Sequence, residues 1–315
     1  MNVGIAIRGG FWLDIAKDWE QGLLKLDVPC RLIKSHDLDS YRLAQLKDVD
    51  VVVCFGRLGL PGAAILQACR LGQQWIYVDH AYFGRYRYIR VAVNALYWLP
   101  EGLPEPDWDR WREQKAALGI QIQPWREPGE WILLTGAGVM PPDWTWDGWL
   151  RHSIAQVAQA TSRPIRYRPK PSFHVPSEEA PEGTVGDPVT DEIRVAEQAL
   201  KATGRKWEVS CPARQTLAGA LWDARAIVTL HSNACLDALV LGVPGVVLGQ
   251  APAKSISGTS WADLENPPRL PDPARETLFA RLAGIQFTKA EIASGLPWQR
   301  LAPCLPTRSA PASTP

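Results

Sequence analysis

The sequence predicts an α/β protein of two domains, each a parallel β-sheet with crossover helices. Three observations carry this. Short apolar runs, several closed by glycine, alternate with stretches of helical periodicity, and that cadence builds parallel sheets. The cadence breaks at 100–130, where Pro, Trp and charged residues concentrate, and then resumes. The chain has 315 residues, more than one ordinary core holds and enough for two domains of ~150 residues.

Taken in order, VGIAI (3–7) is the first strand and runs into Arg8-Gly9-Gly10. Phe11 to Leu26 follows with apolar residues at helical spacing. VPCRLIK (28–34) and DVDVVVCFG (48–56) are the second and third strands, Gly59 to Gly72 reads as a helix, and QWIYVDHAYFG (74–84) is a fourth strand entering a loop. Beyond the break, EWILLTGAG (130–138) is a strand leading to a glycine loop, 148–161 a helix and PIRYRPKP (164–171) a strand. Residues 171–190 have the composition of an exposed loop. WEVSC is a short strand, TLAGALWDA a helix, RAIVTL a strand, HSNACLDALVLG a helix and VPGVVLG a strand. A Pro- and Ser-rich loop spans 251–275, 276–300 reads as helical, and LPTRSAPASTP has the composition of disorder. The expected domains are therefore 1–125 and 126–285, followed by a C-terminal helix at 286–301 and a tail at 302–315.

Composition excludes several classes. The formal charge is +1 with 34 basic and 33 acidic residues, so the chain is no general nucleic-acid coat, although a local basic groove stays open. Six cysteines form no C-x-x-C pair, and five histidines show no metal spacing; reduced thiols and no essential metal or other cofactor are expected. The first apolar run is too short for a signal peptide, and no stretch approaches the ~20 apolar residues that span a bilayer. A cytoplasmic location follows as an expectation. Fifteen tryptophans, clustered at 108–131 and 144–149, either fill core and seam or offer a platform for sugar rings or nucleobases.

The most informative stretch is 222–249. A buried strand ends at Leu230, His231-Ser232-Asn233 opens a helix, and Gly242-Val243-Pro244 turns the chain into the next strand. A helix start presents N–H groups and a positive dipole end, and ligands of open α/β sheets lie beyond the carboxyl ends of strands, so a diphosphate suits the place. This element, with Asp237-Ala238-Leu239-Val240-Leu241-Gly242-Val243-Pro244, resembles the donor-binding element of GT-B glycosyltransferases. It is similar to capsule and Kdo-type transferases, which show E-A-L-x-x-G-x-P; Asp237 stands here for the usual Glu. RYRPKP (166–171) is similar to the basic K-x-H-P turn of that group, and WIYVDHAYFGR (75–85) and FTKAEIASGLPWQRL (287–301) resemble segments of phage-encoded GT-B-like proteins.

The resemblance implies two Rossmann-like domains facing each other across a cleft, with a nucleotide sugar on the C-terminal one. Arg168, Lys170, His231, Ser232, Asn233, Asp237, Gly9 and Gly10 are then candidates for donor binding, and Gly9-Gly10 lacks the G-x-G-x-x-G spacing of a dinucleotide site. A base that deprotonates the acceptor hydroxyl would come from Asp79, His80 or Asp14 at the ends of N-terminal strands. Each also has an ordinary reading as a turn former, a loop histidine or a first-turn acid. Arg85, Arg87 and Arg90 interleave with Tyr82, Phe83, Tyr86 and Tyr88, a pattern that either holds a nucleic-acid strand or is a solvated helix face with packed aromatics. The expected function is glycosyl transfer to a hydroxyl acceptor, a hydroxymethylated base in phage DNA or a surface polysaccharide. A sugar-nucleotide epimerase and a non-catalytic binding protein remain as alternatives.

Overall fold

The computed structural model describes residues 1–7, 10–34, 45–56, 64–65, 68–95, 104–137, 145–170 and 188–305. The chain packs into two compact units, one of Met1–Trp98, Gly102–Asp107 and Arg281–Pro315, the other of Leu99–Glu101 and Trp108–Ala280.

In the first unit, β1 (Val3–Ile7) pairs in parallel with β2 (Cys30–Lys34) and with β3 (Val51–Phe55), and β3 with β4 (Gln74–His80). All five residues of β3 are buried, as expected of a parallel strand covered on both faces. Helix α1 (Phe11–Leu24) turns Ile15, Ala16, Trp19 and Leu23 inward, a stripe of helical period that drives it onto its neighbours. Gly22 lies on the same helix because nothing larger fits: a Cβ there would stand 2.3 Å from the Ile292 carbonyl oxygen.

The sheet continues in the opposite sense. β5 (Ile89–Val93) runs antiparallel to β4, and β11 (Gln286–Phe287) antiparallel to β5. This corrects two expectations. The 85–93 stretch is neither loop nor helix face but a turn leading into a strand that lies between β4 and β11. The 276–300 stretch is not one helical run: β11 separates α7 (Asp272–Ala283) from α8 (Lys289–Ser294) and α9 (Leu296–Leu301). A capping box between Thr288 and Glu291 starts α8, and Gly295, at φ 86°, ends it. Buried Gln286 holds the turn before β5, its Oε1 accepting from the Phe83 backbone N–H at 3.2 Å.

The second unit is a five-stranded parallel sheet in the order β10 (Gly245–Val247), β9 (Ala224–Thr229), β6 (Trp131–Thr135), β7 (Ile165–Arg168), β8 (Trp207–Val209). Helix α3 (Trp146–Ala160) is capped by the Thr145 hydroxyl, and α4 (Pro188–Ala202) follows the 171–187 stretch that lies outside the described residues. Both cover one core with Ile132, Leu134, Leu150, Ile154, Tyr167, Ala196 and Val228. At roughly 1.5–3 kcal/mol for each large side chain withdrawn from water, this core carries the unit. Helix α4 is not among the elements expected from the sequence.

Helix α2 (Trp108–Leu118) lies within the Pro- and Trp-rich break. It goes with the second unit, not with 1–125, and of its two tryptophans Trp111 is buried. Trp111 stacks on Phe279 at 5.3 Å, and Trp125 stacks under the Arg275 guanidinium at 4.1 Å and donates to the Leu270 carbonyl at 2.7 Å. Trp131 and Trp149 are also buried, whereas Trp108 is half open; Trp144 lies outside the described residues. Most of this tryptophan cluster is therefore packing. Among the described residues no helix is long and apolar enough to cross a membrane.

Candidate functional site

In the second sheet the chain passes from β6 to β7 and β8 on one side and returns to β9 on the other, so the direction reverses between β6 and β9. Ligands of open α/β sheets bind beyond the carboxyl ends at such a point. Gly136 and Ala137 follow β6, and Leu230-His231-Ser232-Asn233 follows β9. Leu230, Ala137, Trp149 and Leu248 pack together beneath them as an apolar floor. Buried Thr229 takes the Ser232 backbone N–H on its Oγ1 at 2.7 Å, fixing the turn. The Ser232 hydroxyl accepts from the Ala234 N–H at 3.2 Å and keeps its own proton to donate.

Helix α6 (Ala234–Val240) is shorter than expected, and its opening amides are used internally: Cys235 donates to the Ser232 carbonyl, and Leu236 and Asp237 to that of Asn233. The anticipated row of open N–H groups narrows accordingly to the Ser232 hydroxyl and the Asn233 side chain, which makes no cap bond. Gly242 ends the helix at φ 75°, and a Cβ on it would lie 2.0 Å from the Pro124 carbonyl oxygen. The Gly-x-Pro turn is thus a point of backbone contact as well as a left-handed turn. Asp237 is exposed at its surface, yet protein atoms crowd it enough that desolvation pushes its carboxyl up to about 7.

Arg168 ends β7 and Lys170 follows two residues later, on the far side of β6 and so about 10 Å from the His231 turn. Arg168 is buried, and its Nη1 donates to Ser210 Oγ and to the Gln215 carbonyl, both at 2.9 Å. That nitrogen is committed to the loop after β8. Lys170 is exposed beside Glu192 of α4. Burial raises the Glu192 carboxyl, and the Tyr167 hydroxyl, the Lys170 amide and the Lys170 charge pull it back down. Gly136 is hemmed in here: a Cβ would stand 2.5 Å from Glu192 Oε1 and 2.8 Å from the Lys170 nitrogen. Glu192 was not among the sequence candidates, since the helix that carries it follows a Pro- and Glu-rich stretch with no marker of its start.

In the first unit the candidates separate into interior and surface. Asp79 lies opposite Arg90 in the β4–β5 register. Its Oδ2 accepts from Arg90 Nη2 at 3.0 Å and from the Tyr77 hydroxyl at 2.9 Å, and its Oδ1 from the His80 N–H at 2.8 Å. Arg90 is 2% exposed and also donates to the His80 carbonyl at 3.1 Å, between the rings of Tyr77 and Tyr82. Tyr82, Phe83 and Tyr88 are buried with it. Arg90 and Tyr82 are therefore interior, and within 82–90 Arg85, Tyr86 and Arg87 are exposed.

The structure does bring His80 and the start of α1 together. The His80 ring stacks on Phe11 at 5.8 Å and meets Trp12 at 5.0 Å and Tyr86 at 5.9 Å. Burial and the nearby Arg85 charge hold its imidazole below the usual range. Asp14 is exposed one turn into α1. Gly10, at φ 73°, precedes the helix, with open space where a Cβ would point; Gly9 lies outside the described residues.

No family model matches the chain, and no curated protein sequence matches it. Among solved structures the chain is similar to Thermosulfurimonas dismutans KpsC, beta Kdo 2,7 transferase, over 95% of this chain and 100% of that one, with 12% identity and a TM-score of 0.54. It is also similar to the beta Kdo 2,4 transferase of the same KpsC, over 90% of each chain, with 14% identity and a TM-score of 0.48. A further likeness is to the S. aureus MnaA-UDP co-structure, over 96% of this chain and 95% of that one, with 12% identity and a TM-score of 0.34. At 12% identity the first of these is a likeness of fold, and with two Rossmann-like units on the page it identifies the chain as a protein of GT-B-like fold.

Proposed function

We propose that the chain transfers a glycosyl group from a nucleotide sugar to a hydroxyl acceptor. The observation that carries this is the β6/β9 reversal, with the Ser232 turn over an apolar floor and Lys170 across β6. In this reading the departing nucleotide diphosphate is met by the Ser232 hydroxyl and the Lys170 ammonium, and Asp237 takes the ribose. The acceptor sits at the carboxyl edge of the first sheet. Asp14 receives the hydroxyl proton as the new glycosidic bond forms and the bond to phosphate breaks. Asp79 is set aside for this step because its carboxylate is bound to buried Arg90. Transfer to an extruded DNA base loses support for the same reason, as it needs Arg90 and Tyr82 on the surface. A saccharide hydroxyl is the better fit.

A thermal-shift panel of UDP, GDP, ADP and CMP sugars tests the donor site. A ligand at 100 times its dissociation constant adds ~2.7 kcal/mol of stability. Ser232→Leu should abolish that stabilisation while the unliganded melting temperature holds. Absence of a shift with every nucleotide sugar would remove the reading. Turnover of a nucleotide sugar without acceptor would move it to an epimerase.

A further inference from the structure

Phe11 is 39% exposed and Tyr86 50% exposed, in a region whose other aromatic residues are packed away. They are not scattered surface residues. Both lie against His80, Phe11 stacked at 19° between planes and Tyr86 edge-on at 65°. Trp12 and Phe55, 6.2 Å apart, back them from inside. The chain runs from β1 to β2 on one side and to β3 on the other, so the first sheet reverses direction between β1 and β3. Phe11 opens the helix after β1, and Phe55 ends β3. The rings therefore occupy the place in the first unit where a ligand is expected.

The chemistry of this face narrows the ligand. The imidazole between the rings is uncharged at neutral pH, held so by burial and by Arg85. Arg85 covers one side of Tyr86 at 5.8 Å, and half of the side chain stays open. Asp14 and Asp18 follow Phe11 by three and seven residues, on the same side of α1. Lys289 lies 5.2 Å from the Phe11 ring centre and acts on Asp18. The two carboxylates offset Arg85 and Lys289, so the face carries no net positive charge for a polyanion. A pyranose presents a C–H face to aromatic rings and hydroxyl donors at its rim to carboxylates.

We propose that Phe11, His80 and Tyr86 form the acceptor subsite, and that the acceptor is an uncharged saccharide whose pyranose C–H face lies on Phe11 and Tyr86 and whose hydroxyls donate to Asp14 and Asp18. The word acceptor rests on the glycosyl-transfer reading above; the saccharide platform does not.

Saturation-transfer NMR on the full chain with methyl glucopyranoside, galactopyranoside and mannopyranoside tests it. The C–H protons of one ring face should saturate in the unmodified protein. Phe11→Ala and Tyr86→Ala should each weaken binding about tenfold, the order expected for a lost ring contact, while Phe11→Tyr and Tyr86→Phe retain it. Both residues are exposed, so melting temperatures check that the alanine variants stay folded. Three results would overturn the proposal: no pyranoside saturates, the signal persists unchanged in both alanine variants, or a single-stranded oligonucleotide binds through Phe11 and Tyr86 where pyranosides do not. The nucleotide-sugar panel on the same samples separates the two readings. Donor binding without pyranoside binding removes the platform alone. Ring-dependent pyranoside binding without donor binding removes glycosyl transfer and leaves a saccharide-binding site.

Discussion

At the carboxyl edge of the second sheet the chain presents backbone, a serine hydroxyl and a lysine. Gly136 presses the main chain so close to Glu192 and Lys170 that no side chain fits. At the same edge of the first sheet it presents rings, with Phe11, His80 and Tyr86 on the outside and Trp12 and Phe55 behind. The difference teaches that one sheet architecture carries two kinds of surface. Small residues and fixed dipoles suit an anion, whereas exposed aromatic faces suit an uncharged ring. Both sheets also place arginines inside. Arg90 is answered by Asp79, and Arg166 by Glu208 and Asp223, so these two strand arginines are ion-paired groups of the interior.

The largest effect that would break this comparison lies at Asp79. Its removal takes from buried Arg90 the carboxylate it is bound to; breaking a buried pair costs ~3–5 kcal/mol in fully buried cases. Asp79 keeps 28% of its side-chain surface, so Asp79→Ala should fall at the low end, read as a lower urea midpoint with unchanged slope. A variant as stable as the parent but catalytically dead would restore Asp79 as the base and undo the division between core and site.

Lys170→Ala is next. A charged hydrogen bond is worth ~1.5–3 kcal/mol, so donor affinity by calorimetry should fall roughly 10–150-fold with little change in stability. An unaffected donor constant would return Lys170 to the role of partner for Glu192. The second sheet edge would then rest on Ser232 alone.

The smallest effect belongs to His80. Its folded-state pKa lies below the ordinary 6.5, so between those two values the unfolded chain binds the extra proton. The stabilisation is present above ~6.5 and is lost as pH falls through that window. His80→Phe should therefore flatten the fall in urea midpoint from pH 7.5 to pH 5.5. An equal fall in both proteins would mean that the ring is solvated and the aromatic edge more open than its contacts imply.

Much of the fold is legible in local pattern. VGIAI, VVVCF and the WILL of β6 are apolar because parallel strands are covered on both faces, and the β9–α6–β10 element shows in its strand, Ser turn and Gly-x-Pro. The resemblance drawn on that element agrees with the observed fold. The candidate site is legible only in part. Lys170 and Ser232 follow strands that neighbouring residues announce, but nothing near Glu192 or Phe11 marks them as lying beside Lys170 or His80.

What adjacent residues establish is periodicity, caps and turns: the stripe of α1, the Thr288 box and the left-handed Gly295 are set within a few positions of themselves. Whether a charged or aromatic residue lies inside or outside belongs to the packed molecule. Arg90 is interior because β5 folds back antiparallel and brings it opposite Asp79. Residues 281–301 rejoin the first unit because β11 completes its sheet and Gln286 secures the turn at Phe83. The ring face exists because the start of α1, the end of β4 and the turn at Tyr86 converge. Burial, register and convergence depend on partners distant in the chain, and local propensity holds no information about them.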